Sequence, residues 1–205
     1  MTMQRKTLIK ILGSFAALGA AASIAGLGTF ATFTSSTSAN QSIASGTVSI
    51  DLGAIGASNR LTIGASNLVA GDTIQRAVDL TNTGTGTSDP LGSIQLTTSA
   101  SPSSLLDTDA TNGLQMTIDK CSVAWTESGP PYTYACGGTT SSVLASRSVS
   151  GANLPLSNLA AVTTGSTDRL RVTLTLPAGA PNALQGQSST ISYTFVAAQR
   201  AATSK

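Results

Sequence analysis

Apolar and polar residues alternate with a period of two in several short stretches, which is the mark of half-buried β-strands. Val48, Ile50 and Leu52 alternate with Thr47, Ser49 and Asp51, predicting a strand that starts at Gly46. Leu61 and Ile63 repeat the pattern briefly, and Leu68-Val69-Ala70-Gly71-Asp72 predicts a turn. Thr73 to Thr81 predicts the next strand, with Ile74, Val78 and Leu80 on one face. Arg76 is the one polar residue on that face and is expected to reach solvent from a strand end. Asn82-Thr83-Gly84-Thr85-Gly86 ends the strand with turn chemistry. Ile94 and Leu96 mark a short strand, and Leu114, Met116 and Ile118 a longer one running towards Cys121. Residues 139–167 show no firm periodicity and read as loops with at most one short strand or helix. Arg169 to Leu176 alternates most cleanly, with Leu170, Val172, Leu174 and Leu176 inward, and Pro177 stops it. The last strand carries Ile191, Tyr193, Phe195 and Ala197 on one face and ends near Gln199. Short alternating segments, Gly/Pro/Asn turns and no long helical period predict an all-β protein. The expected form is an antiparallel two-sheet sandwich of jelly-roll type.

The N-terminus follows a different rule. Residues 1–10 carry Arg5, Lys6 and Lys10, and residues 11–27 are uncharged and rich in Ala, Gly, Leu, Ile and Phe. A basic start, an apolar run and then small residues predict a secretory signal peptide, a signal helix over residues 1–31. Thr29-Phe30-Ala31 puts small residues where a signal peptidase needs them, so the expected cut lies between Ala31 and Thr32. The apolar run nearly suffices to span a bilayer, which leaves a retained anchor as the alternative. The chain then divides into an arm over 32–45, a β-sandwich domain over 46–199 and a tail over 200–205. The arm is small and polar and lacks Gly or Pro, and Phe33 and Ile43 are its only sizeable apolar side chains.

Charge changes the picture once the leader is set aside. Of 11 basic residues three lie in the leader, and the remaining eight face nine acidic ones. Such a balance gives no electrostatic case for nucleic acid as a partner. There is no histidine in the 205 residues, so neither a Ser-His-Asp or Cys-His machine nor an HExxH zinc site is available. Asp107, Asp109 and Asn112 place oxygen ligands in one loop, but Ile118 stands where an EF-hand needs its closing Glu. A turn built on Asp and Asn side chains is the expected reading. No catalytic or metal site and no cofactor is predicted. Cys121 and Cys136 are the only cysteines, and in an exported chain such a pair predicts a disulfide. It would pin an excursion holding Trp125, Tyr132 and Tyr134, expected to pack rather than to form a binding patch.

Several segments together resemble the TasA/camelysin (CalY) family of secreted bacterial proteins, which includes spore-coat-associated members. Gly28-Thr29-Phe30-Ala31, Phe33 and Ala44-Ser45-Gly46-Thr47-Val48-Ser49-Ile50 match the family's leader end and first strand. Asn67-Leu68-Val69-Ala70-Gly71-Asp72, then Val78-Asp79-Leu80-Thr81-Asn82-Thr83-Gly84, resembles its L-x-P-G-D … N-x-G segment, with Val69-Ala70 where Pro is common. Gln187 to Gln199 is similar to its closing strand. The resemblance implies a jelly roll, cleavage by a signal peptidase of the SipW type, and display at the cell surface or in a biofilm matrix. It also implies self-association into a homopolymer, with or without a matrix or anchor protein. There the freed arm, including Thr32, Phe33, Thr34, Ile43 and Ala44, inserts as a donor strand into the next subunit. A monomeric adhesin-like module is the alternative. Camelysin members also carry the label metallo-endopeptidase, yet here a zinc site would rest on carboxylates alone. The expectation is a protein that is not an enzyme.

Overall fold

Thr167–Thr175, the strictest alternation in the chain, is the central strand of a five-stranded antiparallel sheet. The computed structural model describes residues 34–38, 41–43, 50–57, 59–61, 68–85 and 91–200. The leader, Thr32, Phe33, Ala44 and the predicted strand start at 46–49 lie outside them. In chain order the strands are β1 (Thr34–Ser38), β2 (Gln41–Ile43), β3 (Ile50–Asp51), β4 (Thr73–Asn82) and β5 (Leu91–Ala100). A one-turn helix α1 (Leu105–Thr108) precedes β6 (Gln115–Cys121), β7 (Trp125–Ser128), β8 (Thr133–Cys136), β9 (Thr140–Ser148) and β10 (Gly151–Pro155). β11 (Thr167–Thr175) and, after a 3-10 turn at Asn182–Leu184, β12 (Ile191–Gln199) complete the fold.

The strands pair in the orders β10-β5-β12-β1-β2 and β3-β4-β11-β6-β9, with β7-β8 as a separate hairpin. All described pairings are antiparallel. The two large sheets contribute to one hydrophobic core: Ile94, Leu96 and Phe195 from one meet Leu80, Ile118 and Leu170 from the other. Each of these is at most 1 % exposed. The period-two pattern thus puts one face of every long strand inward, and removal of that apolar surface from water drives the association of the sheets.

The structure departs from the sequence reading in four places. Ile94 and Leu96 belong to a ten-residue strand rather than a short one. Residues 139–167, read as loops, contain both β9 and β10. Their alternation is broken because β9 buries two consecutive residues, Val143 and Leu144, where its pairing with β6 shifts register. β10 shifts likewise between Gly151 and Leu154, and Asn153 has a φ of 52°. Leu61 is buried in a turn rather than in a strand. Arg76 does not simply extend into water: its guanidinium donates to the Gln75 carbonyl at 2.7 Å and lies 5.9 Å from the Tyr132 ring centroid.

The loop at Asp107 is a helix cap. Ser104 starts α1 with a capping box, its Oγ accepting from Leu106 N at 3.1 Å while Asp107 Oδ1 accepts from Ser104 N at 2.7 Å. Ser103 and Ser189 hydroxyls also donate to the Asp107 carboxylate. Asp109 accepts from the backbone N–H groups of Thr111 and Asn112, the turn that the sequence predicts. Burial raises the Asp107 pKa, but the donated hydrogen bonds outweigh it and the net shift is downward. A depressed carboxyl contributes stability above its unfolded pKa, about 3.9, and loses it as pH falls through the lower folded value. Asp107→Asn is therefore expected to lower Tm at neutral pH, and the deficit to shrink below about pH 4; thermal unfolding of both proteins across pH checks this.

Candidate functional site

Two features stand apart from the core: the edge that receives β1, and the hairpin β7–β8. β12 uses one edge to pair with β5 along its length, from Ile191 opposite Ala100 to Gln199 opposite Leu91. Its other edge receives β1, with Thr34 opposite Ala198 and Ser38 opposite Thr194. β2 adds outside β1, with Ile43 opposite Ser36 and Gln41 opposite Ser38. Two predicted arm residues, Thr34 and Ile43, are thereby placed on a β-ladder within their own chain. An arm segment and the closing strand are brought together across more than 150 positions of sequence.

The cysteines form the expected disulfide, Cys121–Cys136, with Cα atoms 5.7 Å apart. It ties the end of β6 to the end of β8 and holds the hairpin against the outer face of the β4-β11-β6 sheet. Arg171, on that outer face, donates from Nη1 to the Tyr134 carbonyl at 3.2 Å and from Nη2 to Asp119 at 3.1 Å. Gln75 Oε1 accepts from Tyr134 N at 3.0 Å, and the Trp125 indole N–H donates to the Arg169 carbonyl at 2.9 Å. Arg60 closes the far side, its Nε and Nη2 gripping both Glu127 oxygens at 2.9 and 2.7 Å. The Tyr134 hydroxyl donates to the same carboxylate at 2.9 Å.

The electrostatics follow from these contacts. The Arg60 hydrogen bond holds Glu127 below the usual carboxylate range and raises Arg60 in turn. Desolvation, then the bond to Glu127, pushes Tyr134 up to about 12. Arg60 lies 4.6 Å from the Tyr132 ring centroid and Arg171 4.5 Å from that of Trp125. The ring faces are thus taken by the protein's own cations, in cation–π geometry. This packing is what the sequence reading expects of Trp125, Tyr132 and Tyr134. Arg60, Gln75, Glu127 and Arg171 went unrecognised there, because Arg60 and Glu127 are 67 positions apart and no local pattern links them.

For a metal, the donor set is the test. Among the described residues no group of three or more His, Cys, Asp or Glu side chains is placed to hold an ion. Both cysteine sulfurs are consumed by the disulfide. These residues do not fit a zinc peptidase centre, which takes three protein ligands and keeps an open position. No helix among the described residues is long and apolar enough to cross a membrane.

An all-β fold of antiparallel sheets with a disulfide-closed hairpin and an arm on a sheet edge defines the class. The camelysin metallo-endopeptidase family profile matches residues 3–119, over half of the chain, and the protein belongs to this TasA/camelysin family. No curated protein matches the chain. No solved structure matches it either.

Reducing the disulfide, or replacing both cysteines by Ser, is expected to lower unfolding stability by about 3 kcal/mol, the chain-entropy value for a loop of this size. Trp125 is the only tryptophan, so its fluorescence should also shift as the hairpin lifts from Arg171. Denaturant unfolding with and without reductant measures both effects.

Proposed function

We propose that the chain is a secreted structural protein of the cell surface or biofilm matrix, which assembles by exchange of its N-terminal arm. Membership of the TasA/camelysin family supports the surface or extracellular setting. The observation that carries the mechanism is the seat of β1. Thr34–Ser38, with the sequence TSSTS, joins the fold as an added strand on the β12 edge. Such a strand is held by main-chain hydrogen bonds, and an identical arm from another copy would make the same ladder. Exchange between copies therefore costs little beyond association itself, and protein concentration decides between the two arrangements.

In this reading a SipW-type signal peptidase cuts between Ala31 and Thr32, and the freed arm over 32–45 reaches the β12 edge of a neighbour. The domain is read as a jelly roll whose open edge is the acceptor. Each subunit gives one arm and receives another, a head-to-tail contact that does not close and so propagates into a filament. A matrix or anchor protein would cap or start the array. No cofactor or nucleic acid enters the scheme. The family's peptidase description points to a second reading, but the chain offers no histidine.

Deleting residues 32–44 is expected to abolish filaments seen by negative-stain microscopy of the protein accumulated by the expressing cells. Persistent monomers in the unaltered protein would favour the adhesin-like reading, and chelator-sensitive cleavage of casein by pure protein the peptidase.

A further inference from the structure

β4 is laddered along one edge only. β11 pairs with that edge from Thr73 to Thr81. The other edge meets β3 at Thr81 and Asn82, and Asn59 at Val78. Between Gln75 and Ala77 no strand among the described residues pairs with it, yet its backbone groups are met. The Ala77 carbonyl accepts from Arg60 N at 2.9 Å, and the Ala77 N–H donates to the Tyr134 hydroxyl. The Gln75 carbonyl accepts from Arg76 Nη1 at 2.7 Å, and the Gln75 side chain accepts from Tyr134 N at 3.0 Å. Glu127 joins these pieces, held by Arg60 Nη2 at 2.7 Å and by the Tyr134 hydroxyl at 2.9 Å. The Tyr132 ring stands beside both arginines. Hairpin side chains and two arginines thus seal the stretch that a strand would otherwise occupy.

The hairpin supplies nothing to the core, because no residue between Ile118 and Val143 belongs to the hydrophobic cluster. Its removal therefore uncovers the β4 edge without opening the sandwich. We propose that the β7–β8 hairpin is a redox-released guard on the β4 edge, locked by Cys121–Cys136 and freed by a dithiol. The role is protective: an unpaired edge is open to strand addition by any extended chain, and natural sheets block theirs. This guard acts on the sheet opposite to the one that receives β1, and it rests on neither arm exchange nor filaments.

The chemistry is thiol–disulfide exchange. Cys136 is partly exposed and Cys121 is buried, so a thiolate of the dithiol attacks Cys136 Sγ. The S–S bond breaks and Cys121 leaves as a thiolate. The second thiol of the reagent then displaces Cys136 and closes a disulfide within the reagent. Two electrons pass to the protein, and both cysteines take protons to end as thiols. Tyr134 lies two residues from Cys136, so the intact bond keeps the phenol near its seat. A two-stranded hairpin without such a tie is marginal in water.

The test reads amide hydrogen exchange residue by residue, on the whole chain in the form that the expressing cells accumulate. The disulfide-bonded protein is compared with protein held in dithiothreitol and with the Cys121→Ser/Cys136→Ser double variant. The Ala77 amide should exchange about tenfold faster or more in both reduced forms. Leu170 and Val172 in β11 should stay slower than Ala77 by about a hundredfold or more, because the core remains closed. Tyr134→Phe keeps the disulfide and removes the acceptor, and should speed exchange at Ala77 while leaving β11 slow. An Ala77 amide unchanged on reduction would overturn the proposal, as the edge would be sealed without the bond. Ala77 rising to the same rate as Leu170 and Val172, or reduced forms that do not fold, would equally overturn it, since hairpin and core would then be one unit. No change at Ala77 in Tyr134→Phe would remove the hydroxyl seal on which the guard depends.

Discussion

An interior strand needs partners on both sides, and β12 carries that constraint for the whole domain. It is the closing strand of the described fold, and it supplies Tyr193, Phe195 and Ala197 to the core. Its N–H and C=O groups on one side are met by β5 and on the other by β1. Backbone groups left unpaired and shielded from water are costly. The sheet that supplies Ile94, Leu96, Tyr193 and Phe195 to the core is thus completed by the described strand furthest from β12 in sequence. The ladder is made by main-chain groups, so a strand on this edge is held by its backbone rather than by its side chains.

The opposite sheet is finished in another way. Its central strand β11 is flanked on both edges, and its outer face is fastened by the β7–β8 hairpin through charged and aromatic contacts. Lys120 and Asp168 close the inner end of that sheet, with Asp168 also accepting from Ala161 N at 2.7 Å. Burying Asp168 is tolerable because its oxygens are met by a cation and a backbone donor. One sheet is thus stapled on its outer face by the hairpin, and the strands of the other carry no Asp, Glu, Lys or Arg.

The sequence alone disclosed the all-β class, the inward faces of β4, β6, β11 and β12, the turn before β4 and the cysteine pair. Each of these rests on local physics: a period of two selects one face for burial, turn residues admit the needed dihedrals, and two cysteines in the whole sequence have only each other to pair with. The family resemblance was also legible, because it lies in the order of short segments. Tertiary structure alone decided the rest. β9 and β10 were invisible because register shifts and two adjacent buried residues disrupt alternation, and such shifts are set by the partner strand. The grip of Arg60 on Glu127, the stacking of Arg171 over Trp125 and the concentration of charge on one sheet all depend on which strands become neighbours. A linear pattern shows which side of a strand is apolar; it does not show what lies beside it.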